Sequence, residues 1–118
     1  ERPGVLHSFS GDLDTAQAAV ALQFYLGIGG PVTFTNAPEL KEIIRQIPID
    51  RLLLETDAPF LTPHPHRGKR NEPAYIPLIA AEIARLHQLS VEEVAKITYA
   101  NACRLFFDKK PDTLMRDA

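Results

Sequence analysis

Arg51-Leu52-Leu53-Leu54-Glu55-Thr56-Asp57 decides the fold. Three consecutive leucines make a short apolar run that suits a parallel strand covered on both faces, rather than one with a wet side. Working back, Pro48 stops a helix whose Leu40, Ile43, Ile44 and Ile47 repeat at helical spacing, with Asn36 as the predicted cap and Glu39 three residues on. Before it, Tyr25-Leu26-Gly27-Ile28-Gly29 reads as a second strand, over 25–32, although its glycines weaken a strand interior. An Ala-rich helix is expected from Asp14 to about Phe24, with Ala16, Ala19 and Val20 on one face. Gly4-Val5-Leu6-His7-Ser8-Phe9 follows a Pro-Gly turn and reads as the first strand, over 4–9. Strand, helix, strand, helix, strand is the order of βα units on a parallel sheet, so the class is α/β.

After Asp57 the texture changes. Residues 58–73 hold four prolines (Pro59, Pro63, Pro65 and Pro73) and read as a long structured loop. Pro73 suits the first turn of a helix whose apolar face is Ile76, Ile79, Ala80 and Ile83. Ser90 and Glu93 form a capping box for a last helix to about Phe106. Lys109-Lys110-Pro111 ends it, and the tail to Ala118 is expected to fray. The sequence contains no internal repeat.

Composition narrows the classes of function. Of 118 residues, 45% are hydrophobic and 24% charged, which excludes disorder as a global description. A net charge of −2 argues against a large basic nucleic-acid surface, yet allows a small basic patch. The single cysteine, Cys103, rules out a disulfide within the chain and makes a reducing, cytoplasmic setting the default. Its helical context marks it as a small buried hydrophobe. No apolar run approaches the roughly 20 residues of a membrane span. Glu1-Arg2-Pro3-Gly4 has neither an initiator Met nor a signal-peptide layout, and reads as though cut from the interior of a longer chain.

Two residues stand where parallel α/β folds keep their chemistry, at the C-terminal ends of strands: His7 and Asp57. An imidazole and a carboxylate brought together there suit Zn²⁺, Mn²⁺ or Mg²⁺, and the carboxylate could also hold or deprotonate a metal-bound water. Plainer readings stand beside these. His7 could be a hydrogen-bonded structural residue, and Asp57 before Ala58-Pro59 a turn cap. Glu55 reads either as a buried polar partner within the sheet or as a group that orients a ligand from behind. The loop His64-Pro65-His66-Arg67-Gly68-Lys69-Arg70-Asn71 has three readings. It could be a metal cluster built on both histidines, a phosphate-binding lid using Arg67, Lys69 and Arg70, or a solvated surface loop.

Four segments carry a family resemblance. Gly4 to Gly11, with His7, resembles the TatD-family segment that bears a metal-binding His. Leu52-Leu53-Leu54-Glu55-Thr56-Asp57-Ala58-Pro59 resembles the family's Glu-Thr-Asp-x-Pro signature, whose Asp is a metal ligand. Pro65-His66-Arg67-Gly68-Lys69, with Asn71 and Pro73, is similar to the loop that follows it. Asn101-Ala102 with Arg104-Leu105-Phe106 is similar to the family's last helix.

The resemblance implies a metal-dependent hydrolase of the amidohydrolase-like group, cutting phosphodiester bonds in DNA with divalent Mg, Mn or Zn. Residues 1–118 would be the C-terminal part of one TIM-type (β/α)8 barrel domain. His7 would help bind a metal, and Asp57 would bind metal and assist the attacking water. The family's N-terminal His-x-His pair, its bridging Glu and the His of an earlier strand have no counterpart here. A whole barrel takes eight βα units and about 250 residues. The expectation is therefore a fragment, inactive alone, whose N-terminal barrel half belongs to the full-length chain. Two other functions remain open: the same barrel hydrolysing another ester or an amide, or a non-enzymatic α/β fragment. The cations from Arg67 to Arg70 favour phosphate.

Overall fold

The computed structural model describes residues 4–107. Three short strands, β1 (Val5–Leu6), β2 (Tyr25–Ile28) and β3 (Leu52–Leu54), lie side by side in that order, every pair parallel. The register sets Leu6 beside Leu26, and Leu26 beside Leu52. Four helices flank them: α1 (Leu13–Ala21), α2 (Pro38–Gln46), α3 (Ile76–His87) and α4 (Val91–Ala102). The expected βα alternation is present.

Side chains alternate across the strands. Leu26, Ile28 and Leu52 are buried on one face against Ala16 of α1, Ile43 and Ile44 of α2, Ile79 and Ile83 of α3 and Val94 of α4. Each fully buried Leu or Ile contributes about 1.5–3 kcal/mol of transfer free energy. On the other face Tyr25 and Leu53 pack with Val5, Ala102 and Leu105. The three-leucine run is thus covered on both sides, as its composition requires. Cys103 is a buried free thiol. Among the described residues no helix is long and apolar enough to cross a membrane.

Several boundaries differ from expectation, each for a local reason. The first strand stops at Leu6 because His7 and Ser8 turn the chain, Ser8 in left-handed backbone at φ 50°. The second stops at Ile28, where Gly30–Thr33 tightens into a 3₁₀ turn with Pro31 in its first positions. The third begins at Leu52, after the 3₁₀ turn Ile49–Arg51, and ends before Glu55. α1 starts and ends earlier than expected: Asp12 Oδ1 accepts from the Thr15 N–H at 2.8 Å, and Gln23 at φ 65° redirects the chain into β2. Asn36 is not the cap of α2. Ala37 occupies that position with Pro38 in the first turn, and the Asn36 amide oxygen instead accepts from Arg67 at 3.2 Å. Pro73 opens a 3₁₀ turn, Pro73–Tyr75, that leads into α3. The Ser90–Glu93 capping box forms in both directions. The tail beyond Phe107, expected to fray, lies outside the described residues.

Two polar devices fix the packing. Asn101 on α4 is fully buried, and its Nδ2 donates to the carbonyls of Ile49 at 3.0 Å and Leu52 at 2.8 Å, tying the entry of β3 to the last helix. Lys41 of α2 bonds the Val32 carbonyl and the Glu82 carboxylate of α3, which Arg85 also holds. Arg85 first, and Lys41 with it, keep the Glu82 carboxyl below its ordinary value against the opposing effect of burial. A depressed carboxyl stabilises the fold above its unfolded pKa, and that stability is lost as pH falls through the lower folded value. In a full-length protein containing this sequence, Glu82→Gln should cost about 1 kcal/mol near neutral pH. It should also flatten the acid limb of the stability–pH curve below about pH 4.5, read by urea unfolding from pH 3 to 7. An unchanged acid limb would show that Glu82 is not linked to folding.

Candidate metal centre

β1 and β3 run parallel on either side of β2, so the residues that leave their C-terminal ends meet. His7 and Glu55 each follow a strand end, and Asp57 comes two residues after Glu55. One ligand atom from each of His7, Glu55 and Asp57 lies within 4.8 Å of the other two. His7 Nδ1 is 2.8 Å from Glu55 Oε2, and its Nε2 is 3.1 Å from Asp57 Oδ1. Ser8 completes the frame: its N–H donates to Glu55 Oε1 and its hydroxyl donates to Asp57 Oδ2 at 3.0 Å. The carboxylates are largely covered, with side chains 17% and 13% exposed, whereas the His7 ring is 68% exposed. The acids are thus held by the frame while the imidazole faces outward.

The hydrogen bond and charge of Glu55, with the charge of Asp57, raise the His7 pKa above 6.5. The ring stands between the two carboxylates, which favour its protonated form. A cation that takes a ring nitrogen must displace a proton.

Glycines make room for this cluster. A Cβ on Gly27 of β2 would stand 2.2 Å from Glu55 Oε2, and one on Gly29 would stand 3.2 Å from Asp57 Oδ2. The middle strand is therefore hollowed where the carboxylates lean over it. An imidazole and a carboxylate with a second acid beside them are a donor set that suits a divalent cation.

Asp57 has φ 56°, a left-handed conformation that Asp and Asn tolerate better than other side-chain-bearing residues. Asn71, buried, then fastens the chain that follows. Its Nδ2 donates to the Thr56 and Phe60 carbonyls at 2.6 and 2.8 Å, and its N–H to the Pro59 carbonyl at 3.0 Å. An open depression of about 660 Å3 covers the cluster, with Phe60 and Leu61 also lining it. A larger groove, about 880 Å3, runs between α1 and α2, but Asp12, Glu39 and Glu42 give it an acidic rim and it contains none of the three cluster residues.

The loop cations stand apart from the three. Arg67 lies 3.8 Å over the Phe34 ring, with its Nη1 on Asn36, and Lys69 and Arg70 are exposed. None of the three lines the depression. The two loop histidines are not in the ligand cluster either: His66 stacks on Tyr75 with ring centres 4.6 Å apart, and the His64 N–H donates to Thr33 Oγ1.

The sequence profile described as TatD related DNase matches residues 1–107. The chain belongs to the TatD family. Among curated TatD-like relatives, the uncharacterized metal-dependent hydrolase YabD of Bacillus subtilis is 54% identical over 103 residues, covering 87% of this chain and 40% of YabD. The uncharacterized metal-dependent hydrolase YcfH of Escherichia coli K12 is 48% identical, covering 87% of this chain and 39% of its own length. The crystal structure of the TatD homologue YjjV from E. coli K12 superposes with a TM-score of 0.81 at 34% identity, over 87% of this chain and 40% of YjjV. This TatD chain thus spans about 40% of the length of the curated relatives it matches. Its three parallel strands with flanking helices are the C-terminal portion of a TIM-type barrel, the class the resemblance implied.

Sequence reading singled out His7, Asp57 and Glu55 but passed over Ser8, Gly27, Gly29 and Asn71. The glycines carried a signal: Gly inside a strand often marks a close approach, here by carboxylates from the neighbouring strand's end. Ser8 and Asn71 carried none of their own, because their partners are 49 and 15 residues away.

Proposed function

We propose that this chain supplies part of the active site of a metal-dependent phosphodiesterase acting on DNA. The observation that carries the reading is the convergence of His7, Glu55 and Asp57 at the C-terminal ends of parallel strands, in a chain of the TatD family. His7 and Asp57 are the proposed metal ligands. Glu55 is proposed to sit behind His7: its 2.8 Å contact with Nδ1 fixes the ring so that Nε2 is the nitrogen presented to a cation. A bound Mg²⁺, Mn²⁺ or Zn²⁺ would act as a Lewis acid on the phosphoryl oxygen and lower the pKa of water. Asp57, held by the Ser8 hydroxyl, would accept a proton from the attacking water. Other barrel strands complete the ligand set in the full-length protein. A buried, reduced Cys103 suits the cytoplasm.

Arg67, Lys69 and Arg70 are proposed to grip phosphates flanking the bond that is cut. A cation set favours this over a neutral ester or amide. The first test is DNA cleavage by a full-length protein containing this sequence, stripped with EDTA and refilled with Mg²⁺, Mn²⁺ or Zn²⁺. Cleavage that never depends on metal, or a preference for carboxylic esters or amides over DNA, would overturn the reading. The loop is tested separately. Arg67→Ala with Lys69→Ala should raise KM for DNA several-fold and lower the salt slope of binding by about two. Metal content should not change. Loss of metal in this variant would put the loop in the metal site instead.

A further inference from the structure

Phe60 is 73% exposed in this part of the barrel, a large apolar ring beside the ligand cluster on the rim of the depression that His7 and Asp57 line. The backbone on both sides of the ring is held. The Phe60 N–H donates to the Asp57 carbonyl at 2.8 Å, and its own carbonyl accepts from Asn71 Nδ2. Leu61 follows in left-handed backbone at φ 57°, with its carbonyl so close to Gly30 that a Cβ there would stand 2.0 Å away. These contacts fix the backbone from which the ring projects. An exposed ring on a mobile loop would carry little meaning. One on a fastened loop, three residues from Asp57 of the cluster, is available to a flat apolar partner.

We propose that Phe60 is a stacking platform for a nucleobase next to the phosphodiester that is cut. The inference rests on the phosphodiesterase reading and adds to it a residue that binds the base rather than the phosphate. Carboxylates and cations of the site address charge, whereas the Phe60 ring offers an uncharged flat surface on which the face of any base can stack. Stacking is blind to base identity, so Phe60 contributes affinity and alignment without sequence preference.

The test uses the full-length protein and oligonucleotides carrying 2-aminopurine or an abasic site on either side of the cleaved bond. In EDTA, where nothing is cut, wild type should quench 2-aminopurine at one of these positions. Phe60→Leu should abolish that quenching and weaken binding roughly tenfold, and Phe60→Trp should retain both. With metal restored, Phe60→Leu should raise KM for intact DNA but not for the oligonucleotide already lacking that base. Unchanged quenching and KM in Phe60→Leu would overturn the inference. So would a thermal midpoint several degrees lower, which would mark the ring as packing against other barrel elements. If metal-loaded wild type cuts no DNA at all, the phosphodiesterase reading falls first and the stacking role with it. Cleavage with Phe60→Leu behaving as wild type sinks the stacking role alone.

Discussion

Asp57→Asn should lower kcat for DNA cleavage by about 10²- to 10⁴-fold in a full-length protein, with little change in stability. The choice of Asn matters. Asp57 has φ 56°, and Asn is, like Asp, enriched in that left-handed region. Asn can also still accept the Ser8 hydroxyl through its amide oxygen, as Asp57 Oδ2 does now. What it loses is the carboxylate on which the proposed metal binding and proton transfer depend. Asp57→Ala would mix in a backbone cost of about 1–2 kcal/mol and could not separate chemistry from folding. The measurement is steady-state kinetics with metal content determined on the same samples. Full activity in Asp57→Asn would remove Asp57 from the proposed chemistry.

Gly30→Ala should destabilise the fold by about 2–3 kcal/mol. The added methyl would stand 2.0 Å from the Leu61 carbonyl oxygen and 3.1 Å from both Leu61 C and Pro63 N, all backbone atoms. That segment is fastened on either side by Asn71 and by the Thr62 hydroxyl on the Lys69 carbonyl, so it cannot step aside alone. Gly27→Ala makes the contrast. Its methyl would meet Glu55 Oε2 at 2.2 Å, the end of a flexible side chain. Stability should fall less, by about 1 kcal/mol, because the carboxylate can swing away at the cost of its bonds to the Ser8 N–H and His7. Metal affinity should fall about 10–100-fold as Glu55 leaves His7. Urea unfolding and metal titration of the two variants should therefore give opposite patterns. Equal destabilisation of both would mean that the two contacts are not distinct.

Much of the fold was legible because its signals are local. The leucines of β3, the helical spacing of Ile43, Ile44 and Ile47, and the Ser90–Glu93 box each specify an element within a few residues. Boundaries were harder where tertiary contacts override local preference. Asn36 looks like a cap, yet Pro38 fits the first turn after Ala37 and Arg67 claims the Asn36 amide. The strand at residue 25 runs short because Gly30-Pro31 turns, and the distant Leu61 backbone lies so close that only a glycine fits at residue 30. At the site, His7 and Asp57 were visible through their place at strand ends. The grouping of Glu55 with them needed the register of β2 against β3 and the hollow at Gly27, neither of which a single segment encodes.

The bonds made by Asn71 also bear on how this protein tolerates change. They join residues 56, 59 and 60 to residue 71, so the ten residues between are a loop whose two ends meet at a fixed base. Lengthening such a loop costs only about 0.6 kcal/mol per doubling, and the strain of a new length stops at the clasp rather than reaching Asp57. The segment around Gly68 is accordingly the place where insertions, altered charge or a grafted recognition element can be accepted while the carboxylate keeps its position. Changes in loop length and the placement of the Asp57 carboxylate thus fall on separate sides of one asparagine.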